Sequence, residues 1–170
     1  VFGRIEAKDS IPARARLSGM LTELTVADGD EVAADQPIAT IVDEKITFQL
    51  SAIDGQLQAL DSQLANAKAE LTRGEELLAR GVTTAQRLDA LRTQVDVLVN
   101  QIAAQKAQRR VVEQQAADGV VVAPIAGRVL NVPVAAGAVV MAGEPVATIG
   151  GGGFFLRLAV PERHAPDLNE

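Results

Sequence analysis

The sequence predicts an α+β fold: a β-sandwich built from two copies of one motif, split by an antiparallel α-helical hairpin. Two observations predict it. Residues 19–41 align without gaps onto residues 127–149, with ten identities in 23 positions. Between the copies the apolar period changes from about two residues to about three and a half.

The first copy alternates apolar and polar residues in short runs that use Leu21, Leu24, Val26, Val32, Ile38 and Ile41. Gly29 and Gly137 punctuate the two copies, and Pro37 and Pro145 stand just before the last run of each. That is the pattern of short strands joined by tight turns. One copy has too few strands to cover an apolar face, so the two are expected to pack together about a pseudo-twofold axis. In the insert, Leu50, Ile53, Leu57, Leu60, Leu64, Ala67, Leu71, Gly74 and Leu78 fall three and four apart. After a break, Leu88, Leu91, Val95, Leu98 and Ile102 resume the spacing, and the residues between are polar or small, as in a heptad seam. The break reads Arg80-Gly81-Val82-Thr83-Thr84-Ala85-Gln86. Gly81 suits the left-handed end of a helix. Thr83 and Gln86 have capping-box spacing for the next helix, with Thr84 as the alternative cap. So short a connection makes the helices antiparallel neighbours. A first arm over residues 45–80 would be about 50–55 Å long. The expected segments are 1–44, 45–116 with a tip near 80–84, 117–150, and 151–170.

Composition removes several functional classes. The chain is 170 residues long, 48% hydrophobic and 22% charged, which suits a folded protein. It has four Phe and neither Tyr nor Trp, few aromatics for a deep ligand pocket. A net charge of −6 argues against nucleic acid as a partner. With no cysteine, disulfides, thiolate nucleophiles and Cys-ligated metals are excluded. The longest apolar runs are too short to span a bilayer, and no signal peptide is visible in the sequence. Acidic residues are scattered without a paired partner, so no catalytic constellation, cofactor or metal site is expected.

Two half-motifs around a coiled-coil hairpin resemble the periplasmic adaptor, or membrane fusion protein, family (HlyD-like) of resistance-nodulation-division (RND) efflux pumps. The halves resemble the lipoyl and biotinyl carrier fold, the barrel-sandwich hybrid. Ala15-Arg16-Leu17-Ser18-Gly19 leads into Val26-Ala27-Asp28-Gly29-Asp30-Glu31-Val32. In the second half, Ala123-Pro124-Ile125-Ala126-Gly127-Arg128-Val129 leads into Gly137 and Gly143. Phe155-Leu156-Arg157-Leu158-Ala159-Val160-Pro161-Glu162 resembles the entry to the family's β-barrel domain, and Gly3-Arg4-Ile5-Glu6-Ala7 the strand before the first half. The resemblance implies a non-enzymatic adaptor in the periplasm, anchored to the inner membrane by a segment outside this sequence. It implies a hexameric ring or funnel, assembled through dimers. That ring would join an inner-membrane transporter, driven by a proton gradient in the RND case, to an outer-membrane channel, in multidrug resistance. Adaptors of this kind carry an Arg, a Leu four residues on and a Ser or Thr seven further, which meet the tip of the channel. Arg73, Leu77 and Thr84 fit that spacing. Independently of any family, Leu77 lies beside a seam that uses Leu78, so the hairpin's packing does not require it. The bland alternative is that Leu77 flanks the seam and Thr84 caps a helix.

Other residues read as ordinary. Lys45, in Val42-Asp43-Glu44-Lys45-Ile46, stands near the place of the modified lysine of lipoyl domains, but Asp43 and Glu44 suit the first turn of a helix. A swinging-arm carrier on Lys45 is therefore the second hypothesis, and an adaptor of an ATP-driven (ABC) exporter or type I secretion system the third. His164 reads as solvated. Gly150-Gly151-Gly152-Gly153 reads as a flexible link, lacking the Lys-Ser/Thr of a phosphate loop. Lys106, Arg109 and Arg110 read as a solvated helix face, with a contact between neighbouring copies as the alternative.

Overall fold

The repeat in the sequence becomes a repeat in the backbone. A computed structural model describes residues 2–159, with side chains over 8–153. Strands β1 (Phe2–Arg14), β2 (Gly19–Leu24), β3 (Glu31–Val32) and β4 (Pro37–Val42) precede helices α1 (Glu44–Ala79) and α2 (Ala85–Ala117). Strands β5 (Val120–Val122), β6 (Gly127–Asn131), β7 (Val139–Val140) and β8 (Pro145–Ala159) follow. The contacts divide the chain into two compact units, the helices 44–117 and the strands on either side of them in sequence.

The strands form two antiparallel four-stranded sheets, in the orders β1-β8-β6-β3 and β5-β4-β2-β7. The shift that places Gly19 on Gly127 also places β2, β3 and β4 on β6, β7 and β8. Pairing follows the same rule. Leu21 faces Ile41 and Val129 faces Ile149, each followed by a one-residue bulge. The two shortest strands are exchanged: β3 pairs with β6, and β7 with β2. Each copy thus lends a strand to the sheet of the other. Turn hydrogen bonds obey the same symmetry. The Gly29 amide donates to the Val129 carbonyl at 2.8 Å, and the Gly137 amide to the Leu21 carbonyl at 2.7 Å.

The core is equally paired. Leu21, Ile38 and Ile41 and their counterparts Val129, Val146 and Ile149 are fully buried. Burying each such side chain is worth about 1.5–3 kcal/mol as an upper bound. Gly19 and Gly127 open β2 and β6 where a neighbouring strand passes close. A Cβ on Gly19 would lie 2.4 Å from the Val42 carbonyl oxygen, and one on Gly127 would lie 2.1 Å from that of Gly150. These are backbone atoms, which cannot swing aside. Strand β4, where the chain leaves for the insert, is hydrogen-bonded to β5, where it returns; the Ile41 amide donates to the Gly119 carbonyl at 2.8 Å.

Beyond the core, β1 and β8 run on together from Ala7↔Phe154 to Phe2↔Ala159. The glycine run lies inside this ladder and not in a free link. Asp9 pairs with Gly151 and Ala7 with Phe154, so Gly152 and Gly153, at φ 71° and 93°, form a bulge opposite Lys8. Val160, Pro161, Glu162 and His164 lie outside the described residues.

In the helical unit, every seam position read from the sequence is buried or half-buried. The seam also extends further, through Ile46 and Val112, both buried. Gln105 and Arg109 occupy seam positions below Ile102 and are half-buried. Gln105 donates to Gln56 at 2.6 Å, and Arg109 Nε donates to Asp54 Oδ1 at 2.6 Å while Nη1 bonds Glu113. The hydrogen bond that Arg109 donates to Asp54 is the main reason that the Arg109 pKa is raised. Arg109 is therefore part of the pairing of α1 with α2, not of a solvated face, whereas Lys106 and Arg110 are exposed.

Two substitutions separate close approach from helix propensity. Gly19→Ala or Gly127→Ala is expected to cost roughly 1–3 kcal/mol of sandwich stability, because a methyl group is forced onto a carbonyl oxygen. Gly55 is exposed inside α1 with nothing within 4 Å of its Cβ position, so Gly55→Ala is expected to add about 0.5–1 kcal/mol to the hairpin. Urea unfolding followed by circular dichroism measures both.

Candidate partner-docking site at the hairpin tip

The tip is built by two capping arrangements. At the end of α1 the Gly81 amide donates to the Leu78 carbonyl and the Val82 amide to the Leu77 carbonyl, both at 2.9 Å. With Gly81 at φ 72°, this is a Schellman motif, which satisfies the last carbonyls of the helix. At the start of α2, Thr84 Oγ1 accepts from the Arg87 amide at 3.2 Å. Thr84 is thus the N-cap and Thr83 is not; the alternative cap is the one formed, and the Thr83–Gln86 box is not.

One turn below the tip the helices come close together. A Cβ on Gly74 would lie 2.8 Å from Leu91 Cδ1 and 3.5 Å from Leu88 Cδ1, so the absent side chain lets both leucines lie against the α1 backbone. Leu88 and Leu91 are buried, as is Gly74. Arg92 reaches across to Glu75 at 3.5 Å, an exposed pair worth little in stability. The packing of the leucines, not the ion pair, fixes where the tip residues sit.

On this base Arg73 is exposed and makes no hydrogen bond or ion pair among the described residues. Leu77 is 40% exposed, while the adjacent Leu78 supplies the seam contact. Thr84 is exposed, and its oxygen, although accepting from Arg87, keeps a proton to donate. The structure therefore gathers all three at one end of the hairpin, with only Thr84 holding a structural job. Val82, 70% exposed, was missed by the sequence reading. The signal was present, because a Schellman motif ending at Gly81 pairs the position after the glycine with the one four before it, here Val82 with Leu77. Together they make the tip an apolar spot beside an unpaired guanidinium.

Among the described residues, no group of His, Asp and Glu gathers to hold a metal, and no helix is long and apolar enough to cross a membrane. Lys45 is the second residue of α1, so it is not presented on the β-turn that a swinging-arm lysine needs.

Comparison with known proteins agrees with this architecture. Residues 10–150 match the family described as RND MFP, barrel-sandwich hybrid domain, and the chain belongs to that family of membrane fusion proteins. Its fold is shared with MacA from Actinobacillus actinomycetemcomitans, at 19% identity and a TM-score of 0.69 over 96% of this chain and 56% of that one. ZneB from Cupriavidus metallidurans is similar at 20% identity and a TM-score of 0.61, over 91% of this chain and 66% of that one. The periplasmic adaptor protein EmrA is similar at 14% identity and a TM-score of 0.57, over 96% of this chain and 78% of that one. The chain thus spans little more than half the length of MacA. No curated protein matches the sequence.

Thr84→Ala is expected to lower hairpin stability by about 1 kcal/mol through loss of the cap, and Thr84→Asp to restore it. Thermal unfolding of the two variants checks this.

Proposed function

We propose that the chain is the central part of a periplasmic adaptor subunit of a tripartite efflux pump. In this reading it bridges an inner-membrane transporter to an outer-membrane channel, and the hairpin tip docks the channel. The observation that carries the reading is the tip itself: Leu77 and Val82 are exposed beside Arg73, which is unpaired among the described residues, while the neighbouring Leu78 supplies the seam contact. Such a group costs stability or gains nothing unless a partner covers it. The RND class of transporter is favoured because the matching family is that of RND membrane fusion proteins. Self-association, as a hexamer assembled through dimers, and anchoring to the inner membrane by a further segment complete the proposal. Work is done by contact and not by bond chemistry, so the energy comes from the transporter.

Leu77→Asp and Arg73→Asp are expected to abolish export in cells expressing the full pump while lowering the melting temperature by less than about 3 °C. Thr84→Asp keeps the helix cap yet places a charge at the contact, and is expected to fail in export as well. A large fall in melting temperature for Leu77→Asp, or full export by all three, overturns the docking role.

A further inference from the structure

The internal repeat allows the outer faces of the two sheets to be compared position by position. In the sheet β1-β8-β6-β3, Arg128 stands between Gly150 on β8 and Glu31 on β3, and its guanidinium donates to Glu31 Oε1 at 3.1 Å. The register that matches Gly19 with Gly127 also matches Met20 with Arg128, Val42 with Gly150 and Glu31 with Val139. Met20, Val42 and Val139 form the equivalent row of the other sheet, Met20 standing opposite Val42 on β4 and opposite Val139 on β7. Where one sheet carries an ion pair, the other carries a methionine and a valine. The fold itself therefore demands no apolar side chain at these positions.

This row faces water. Leu21, Ile41 and Val140, which alternate with its members, are fully or almost fully buried, so Met20, Val42 and Val139 point away from the core. Met20 is 50% exposed and Val139 72%. Met141, 63% exposed, lies on the same side two residues beyond Val139, a diagonal neighbour of Met20 at about 7–8 Å. Its backbone is held in place: the Met141 amide donates to Glu144 at 2.8 Å, and the next amide, of Ala142, donates to Ser18 Oγ at 2.9 Å. The chain has two methionines and no cysteine, so all of its sulfur is collected on this one face. Methionine commonly fills gaps in a core; the core here contains none.

We propose that Met20 and Met141 form a reversible oxidation site that changes the polarity of this face without disturbing the fold. The reactant is a peroxide. A thioether lone pair attacks one peroxide oxygen, and the O–O bond breaks. The attacked oxygen stays on sulfur as the sulfoxide and passes its proton to the other oxygen, which leaves as water. Sulfur gives up two electrons and the peroxide takes them. A thiol-dependent methionine sulfoxide reductase reverses the step, its thiols supplying two electrons and two protons as the oxygen departs in water. Exposure selects these side chains, because a thioether reacts where peroxide can reach it. A sulfoxide inside a core disrupts packing, but on this face it meets only solvent, and no buried methionine exists to be damaged. Each oxidation replaces an apolar group by a polar one, in a row whose other members, Val42 and Val139, carry no sulfur. Both methionines lie in the strand unit and not in the hairpin, so the proposal does not depend on the docking role of the tip.

Hydrogen peroxide is added to the chain and, in parallel, to a short methionine peptide, and oxidation at each position is followed by mass mapping of proteolytic fragments. Met20 and Met141 are both expected to oxidise within about tenfold of the peptide rate. With both oxidised, the melting temperature is expected to fall by less than about 2 °C, and retention on a hydrophobic-interaction column to decrease. Reductases for the two sulfoxide epimers are expected to restore mass and retention together. The double variant Met20→Leu with Met141→Leu is expected to keep its retention under peroxide, which ties the change to these two side chains. A slower reaction at either methionine, a larger fall in melting temperature, retention that peroxide leaves unchanged, or sulfoxide that the reductases cannot remove each overturn the proposal. A retention loss shared by the double variant overturns it as well.

Discussion

The β unit depends on the exchange of its two shortest strands. β3 and β7 are each two residues long, too short to stand without a neighbour, and each finds that neighbour in the other copy. Neither copy can complete a sheet from its own strands, so the two halves must close on each other to satisfy their backbone groups. Buried side chains then come in symmetric pairs because the backbone that presents them does. Whatever is inserted between the halves must leave this closure undisturbed.

The hairpin meets that condition by carrying its own specificity. An all-apolar seam of leucines could slip by a heptad at little cost; Gln56 with Gln105, and Arg109 with Asp54, place polar groups in or against the seam at one height. Polar seam residues of this kind fix register at some expense in stability. At the other end Gly74 lets Leu88 and Leu91 approach, and the Schellman turn and the Thr84 cap finish both helices within the residues between Ala79 and Ala85. Register set at one end and closure set at the other hold Arg73, Leu77 and Val82 in a defined place.

Much of this was legible in the sequence, for reasons that differ by element. Both periodicities are collective signals spread over many residues, so the β halves, the hairpin and its seam from Leu50 to Ile102 could be read off directly. The symmetric register was implied by the ungapped repeat. What escaped were features decided by a few local contacts. Arg109 looked like part of a basic surface because its partner, Asp54, lies far away in sequence and is brought near only by helix pairing. The glycines at 150–153 looked like a link because glycine composition does not distinguish freedom from a bulge demanded by an adjacent strand. Val82 was overlooked because it lies between the two helices, outside either apolar stripe; its relevance comes from the cap geometry and not from a pattern. Arg73, Leu77 and Thr84 were placed at one end by heptad counting, yet only the caps show that Thr84 has a second employment and the other two do not.

The place where the insert joins the sandwich has a consequence for evolution of length. The chain departs from β4 and comes back into β5, and these are bonded neighbours. The gap that any insert must bridge is therefore one strand spacing, about 5 Å, whatever its size. Adding seven residues to each arm would keep the leucine stripe in phase, preserve both exits and lengthen each helix by about 10 Å. The helix pair behaves as a ruler of adjustable length, whose size can change without any change to the strands that flank it in sequence.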